Sequence, residues 1–199
     1  NYGSHTVESN AFSNNVAYDD GGGFRHYHGS SNIFGNTFTG NSAGDDGGGA
    51  KLSHSTSHQF HNNTLDSNET GDSGGGLELD NDSSIIYDCV FSNNTARRGG
   101  GLHNWRNETS FSIERVIFDG NVASDCGGAV QIDNNPYRLS FINTHFEENE
   151  ADRGGAICTD LVYRDPDDVG GIENYYQSSN IHIYASTFAD NNASEGGAI

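Results

Sequence analysis

Basic charge is scarce in this chain. Nine Lys and Arg, of which only Lys51 is a lysine, face 28 Asp and Glu, and the formal net charge is −19. A nucleic-acid footprint needs the opposite sign, and an anionic membrane would repel this surface. The acidity suits solubility, salty water or calcium. No apolar run is long enough to cross a bilayer, and no leader of the secretory type opens the chain. Methionine is absent altogether, so the 199 residues read as a mature product or as a segment of something longer. Cysteine is rare too. Cys89, Cys126 and Cys158 are odd in number and match no zinc spacing. Cys89 and Cys158 read as small buried hydrophobes, with one disulfide left open.

Hydrophobic residues make up only 32% of the chain and 27 residues are glycine, a poor supply for a core of packed helices. Low hydrophobicity with high net charge would ordinarily signal disorder. The placement of the 11 Phe and 9 Tyr argues otherwise. A motif of Phe-x-x-Asn, a small residue, then Gly-Gly and an apolar residue recurs along the whole chain. Its first half stands at Phe12–Asn15, Phe38–Asn41, Leu65–Asn68, Phe91–Asn94, Phe118–Asn121, Phe146–Asn149 and Phe188–Asn191. The steps are 26, 27, 26, 27, 28 and 42 residues. Five residues before each Phe or Leu lie Val7, Ile33, Phe60, Ile86, Ile113, Phe141 and Ile183, all β-branched or aromatic. That second file was not used to define the repeat and so checks its register.

A unit of this length without a 3.6-residue period is not a helix pair. Its apolar residues alternate in short bursts, as in Leu77-x-Leu79 and Phe111-x-Ile113, which is the mark of strands. The pattern predicts an all-β, right-handed parallel β-helix of about seven coils of 26–28 residues, with three short strands per coil. It forms a single domain over 1–199 and a rod of roughly 30–35 Å at the parallel strand spacing. The Phe file fills the interior, the Asn turns the chain and bonds to its counterparts above and below, and the glycine pair supplies a sharp turn at positive φ.

The Gly-Gly-Ala-[Ile/Leu/Val] and Phe-x-x-Asn motifs resemble those of the chlamydial polymorphic membrane proteins, and more widely the pectin-lyase-like β-helix repeats of bacterial surface proteins. The resemblance runs from Phe12 to Ile199. It implies secretion, surface display, adhesion and in some cases polymerisation. No autotransporter barrel is visible. The chain starts just before one strand and stops at the opening of another, so a second copy beneath it would nearly complete a coil. Two expectations follow: a stretch of a longer solenoid, or copies stacked head to tail into a filament.

Functional residues are sought outside the repeat. Six Asn-x-Ser/Thr sequons start at Asn62, Asn68, Asn81, Asn93, Asn107 and Asn192 and are candidates for N-glycans. Asp19, Asp20, Asp45 and Asp46 stack along one edge, where like charges need a cation, a basic neighbour or water; calcium is the metal to expect. An insertion at about 159–178 reads either as a binding loop, with Tyr175 and Tyr176 as sugar-stacking residues, or as a cover for Val130 and Ile157. The row Arg25, Lys51, Glu78 and His103, with Asp80, Trp105 and Asp133 beside it, is the candidate groove for polysaccharide chemistry; Trp105 could stack on a sugar ring. No carboxylate pair there stands out as catalytic. The nine histidines read as non-ligands. The overall expectation is an extracellular or cell-surface structural and adhesive module, with a polysaccharide-active enzyme and a non-catalytic carbohydrate-binding module as alternatives.

Overall fold

The computed structural model describes residues 4–54, 58–82, 84–105, 111–133, 138–160 and 180–199. The described residues form 27 strands of two to five residues and no helix. Strand n pairs with strand n+4, always in parallel, so the chain winds as a β-solenoid. Three sheets hold seven strands and the fourth holds six. The first sheet begins with His5–Glu8, the second with Ala11–Ser13, the third with Val16–Ala17 and the fourth with Phe24–Tyr27.

Each coil therefore carries four strands where the sequence pattern predicts three. The additional strand lies between the ladder Asn and the glycines, as at Ser42–Ala43 and Glu69–Thr70. It turns a single small residue inward, so it shows no apolar alternation. Ala43 pairs with Ala17 and with Thr70.

The two predicted files are real. Val7, Ile33, Phe60, Ile86, Ile113, Phe141 and Ile183 are successive register partners along the first sheet. The Phe file runs along the second sheet, with Leu65 between Phe38 and Phe91. Its rings stack face on: Phe12 on Phe38 at 4.7 Å and 4°, Phe118 on Phe146 at 5.2 Å and 5°, Phe146 on Phe188 at 4.7 Å and 8°. Leu77, Leu102, Val130 and Ile157 complete the interior from the fourth sheet. Val130 and Ile157 thus point inward and need no loop to cover them. Of the insertion, 161–179 lies outside the described residues, and Tyr175 and Tyr176 with it.

At the turn after the Phe file, seven asparagines form a continuous amide ladder. Each Nδ2 donates to the Oδ1 of the next, from Asn15 through Asn41, Asn68, Asn94, Asn121 and Asn149 to Asn191, at 2.9–3.0 Å. The same Oδ1 accepts the backbone N–H of the preceding Asn, and the second Nδ2 hydrogen goes to a backbone carbonyl one coil back, as from Asn121 to Phe91. Amide donors and acceptors are matched, which is the condition for burying them. A second, shorter ladder, not predicted, joins Asn10, Asn36 and Asn63 at the preceding turn. Cys89 continues that file, its Sγ donating to Phe60 and Tyr87 carbonyls, and burial pushes its thiol up to about 12.

The glycines work differently from the expectation. A run of three positions turns the chain, and positive φ falls on the first, as at Gly74 (φ 70°) and Gly127 (φ 70°). The second is a close approach: a Cβ on Gly75 would sit 2.5 Å from the Gly100 carbonyl oxygen. In the last three coils the third position is alanine, so Gly127-Gly128-Ala129 aligns one residue earlier than the motif suggests and Leu102 pairs with Val130. Cys126 and Cys158 form a disulfide across a Cα separation of 5.6 Å. Cys158 is thus a bonded cysteine and not the small hydrophobe expected.

Replacing Asn121 by alanine orphans two donors of Asn94 and the Phe91 carbonyl. The expected loss is about 4 kcal/mol of unfolding free energy in urea, against less than about 0.5 kcal/mol for the exposed Asn192→Ala. Equal losses would show that the ladder contributes nothing of its own.

Candidate functional site

On the outer face of the fourth sheet, stacking brings chemically different side chains into one file. Register pairs Arg25 with Lys51, Lys51 with Glu78, Glu78 with His103, and His103 with Gln131. Had one acidic type recurred here, like charges would lie about 4.8 Å apart and repel. The file instead mixes cations, an acid and an amide, and its adjacent cations Arg25 and Lys51 are held by Asp20 and Asp46 from the neighbouring turn. Lys51 Nζ reaches Asp46 at 2.7 Å and Asp20 at 3.0 Å, and Arg25 adds a 3.0 Å contact to Asp20. His103 Nδ1 lies 2.7 Å from Glu78 Oε2, and its Nε2 lies 3.0 Å from Asp133 Oδ2. Gln131 donates to Asp133, and Arg98 reaches both Asp133 and Asp72.

Glu78, His103, Gln131 and Asp133 are buried despite lying on an outward face. Burial pushes Glu78 up to about 7, against the pull of His103. Burial would by itself lower His103, but the Glu78 and Asp133 carboxylates outweigh it and hold the imidazole up at about 9. For Asp133, burial is outweighed by its bond to His103, and the carboxyl lies below its usual range. For Lys51, burial is outweighed by Asp46 and Asp20, and the ammonium is held above its usual value. Both nitrogens of His103 are committed, and the Lys51 ammonium is gripped twice. Neither is free to take a proton from a substrate.

Lys51, Glu78 and His103 of this file wall a cleft of about 250 Å³ that also touches Asp72, Ser73, Asp80 and Trp105. Asp80 and Trp105 are register partners at the strand ends, and His103 stacks beside the indole at 6.3 Å. Of the groove row expected from sequence, Lys51, Glu78, His103, Asp80 and Trp105 line this cleft, while Arg25 and Asp133 sit in the ion pairs beside it. Asp46, Asp72, Ser73 and Arg98 join it from the adjoining turn, which no single strand's pattern could show.

The other expected positions fare differently. Lys51 takes the place given to calcium between Asp20 and Asp46, while Asp19 and Asp45 face solvent. Among the described residues no three His, Cys, Asp or Glu are grouped to hold a metal. Asn68 belongs to the buried ladder, with both amide hydrogens bonded, so it has no room for a glycan; this corrects its candidacy. Asn62, Asn81, Asn93 and Asn192 are exposed, and Asn107 lies outside the described residues. A buried polar cluster was missed: His58 accepts the Ser31 N–H at Nδ1, faces Asp82 at 3.3 Å and meets the His26 ring at 4.8 Å. With Nδ1 an acceptor, the neutral tautomer is fixed, and burial, with His26 beside it, lowers His58 to about 4.

Residues 88–104 and 115–133 match the family model of the Chlamydia polymorphic membrane protein repeat. The two matched stretches fall within the parallel β-solenoid, which is consistent with a β-helix carrying repeats similar to that type. The coarse reading is a surface or outer-membrane protein. No curated protein and no solved structure matches the chain. No helix among the described residues is long and apolar enough to cross a membrane.

His103 binds its proton more tightly folded than unfolded, so its stabilisation is present below about pH 6.5 and is lost as pH rises through about 9. Melting temperature is expected to fall across that window, and His103→Gln to flatten the slope. An unchanged slope would mean that His103 is not held as an imidazolium.

Proposed function

We propose that this polymorphic-membrane-protein-type β-helix is a structural and adhesive module that works outside the cell. The continuous Asn ladder carries the reading. It holds the coils in one register, so the turns between strands become fixed display positions on a stiff rod. The Cys126–Cys158 disulfide supports an oxidising, extracellular setting. The exposed sequons Asn62, Asn81, Asn93 and Asn192 would carry N-glycans on the rod's surface.

Self-association uses the same lattice. The ladder is polar, donating from each Asn to the next, so a further coil, whether of a longer solenoid or of a second copy, can extend it only in the same direction. Head-to-tail addition is the stacking mode that this polarity favours.

Two measurements test the proposal. The full chain displayed on a non-adherent cell is expected to confer attachment to surfaces or cell layers, and Asn121→Ala to abolish it; attachment unchanged by loss of the fold would overturn the adhesive reading. Peptide mapping of the native protein is expected to find glycans at Asn62, Asn81, Asn93 or Asn192; four unmodified sites would remove the glycoprotein element.

A further inference from the structure

The charges around the fourth-sheet cleft are held in shared ion pairs with one exception. Lys51 is shared by Asp46 and Asp20, Asp72 is held by Arg97 and Arg98, and His103 is shared by Glu78 and Asp133. Asp80, on the rim, has no side-chain hydrogen bond or ion pair to a described residue and is the lining carboxylate without a cation among them. A second group is unsatisfied. Ser73 bridges Asp46 and Arg98 through its backbone at the cleft floor, is 1% exposed, and its Oγ has no hydrogen-bond partner. An orphaned buried hydroxyl is costly and is expected where a ligand or water completes it. Trp105, in register with Asp80, adds an indole edge or face beside the lone carboxylate.

A site with one unmatched carboxylate, an aromatic ring next to it and an unbonded hydroxyl selects for a small cation with an apolar face and polar substituents. The volume of about 250 Å³ holds one such ring and excludes a bulky group. An anionic sugar would meet Asp80 and a chain of net charge −19. A simple alkylammonium would satisfy Asp80 but leave Ser73 without a partner.

We propose that this cleft binds an amino sugar with a free, protonated amine, the ammonium on the Asp80 carboxylate, the apolar ring face on Trp105 and a ring hydroxyl on Ser73. The inference rests on the adhesive reading, for which it supplies a ligand class. No bond is made or broken; the site binds and does not turn its ligand over.

The test uses the full chain and glucosamine as probe, with N-acetylglucosamine and propylammonium as comparisons, read by chemical-shift changes at the Trp105 indole. Glucosamine is expected to bind at least ~10-fold more tightly than either comparison, a difference of about 1.4 kcal/mol. Asp80→Asn is expected to weaken it ~10-fold or more with the circular dichroism spectrum unchanged, and Ser73→Ala to weaken it by a smaller factor. Equal affinity for the acetylated sugar, equal affinity for propylammonium, no effect of Asp80→Asn, or no binding at all would each overturn the proposal. Attachment of cells displaying the chain is scored separately, so a cleft that ignores glucosamine on an adhesive rod refutes the ligand and not the adhesion.

Discussion

Six side-chain amide bonds, running from Asn15 to Asn191, set the terms for the rest of this molecule. A parallel ladder places every residue over its own counterpart at the spacing of about 4.8 Å. An amide is one of the few polar groups that gains from meeting itself there, because it carries a donor and an acceptor at once. Once the Asn file fixes that register, the Phe rings one turn earlier must stack, and the glycine turn must bring carbonyls too close for any Cβ. The interior can then be narrow and dry with only 32% of the chain hydrophobic, because each apolar side chain is used inward.

The same rule acts in reverse on charge. A residue type that repeats faithfully inside cannot repeat outside if it is ionised. The outer file of the fourth sheet answers with Arg25, Lys51, Glu78, His103 and Gln131, a sequence of different groups that Asp20, Asp46 and Asp133 help to neutralise. Buried ion pairs of this kind stabilise little in net terms, since desolvation offsets their attraction. What they do is specify register a second time, from outside. The cleft lies between this file and the neighbouring one that carries Asp80 and Trp105.

Most of the fold is readable in the sequence because the Asn file and the Phe file, in which Leu65 is the one departure, recur at a nearly regular spacing up to the insertion. The Val7 to Ile183 file gives the register, and the paired strands of the first sheet keep it in line. Legibility fails where a strand presents one small inward residue, as at Ala43, so the third sheet is missed. It fails where a file changes chemistry, as from Asn63 to Cys89, so the second ladder is missed. It fails where partners come from different turns. Lys51 closing on both Asp20 and Asp46, Cys126 meeting Cys158, and Ser73 rising into the cleft all depend on the path between strands, which no period records. Asn68 shows the converse hazard: a local sequon coincides with a ladder position, and the ladder decides where the side chain goes.

Hydrogen exchange of the asparagine side-chain amides tests the ladder most directly. In the native protein at neutral pH, the Nδ2 protons of Asn41, Asn68, Asn94, Asn121 and Asn149 should exchange far more slowly than those of the exposed Asn62 and Asn192, and together, as one cooperative unit. Ladder amides that exchange as fast as the exposed ones, while the backbone of the strands stays protected, would contradict the claim that they hold the coils in register.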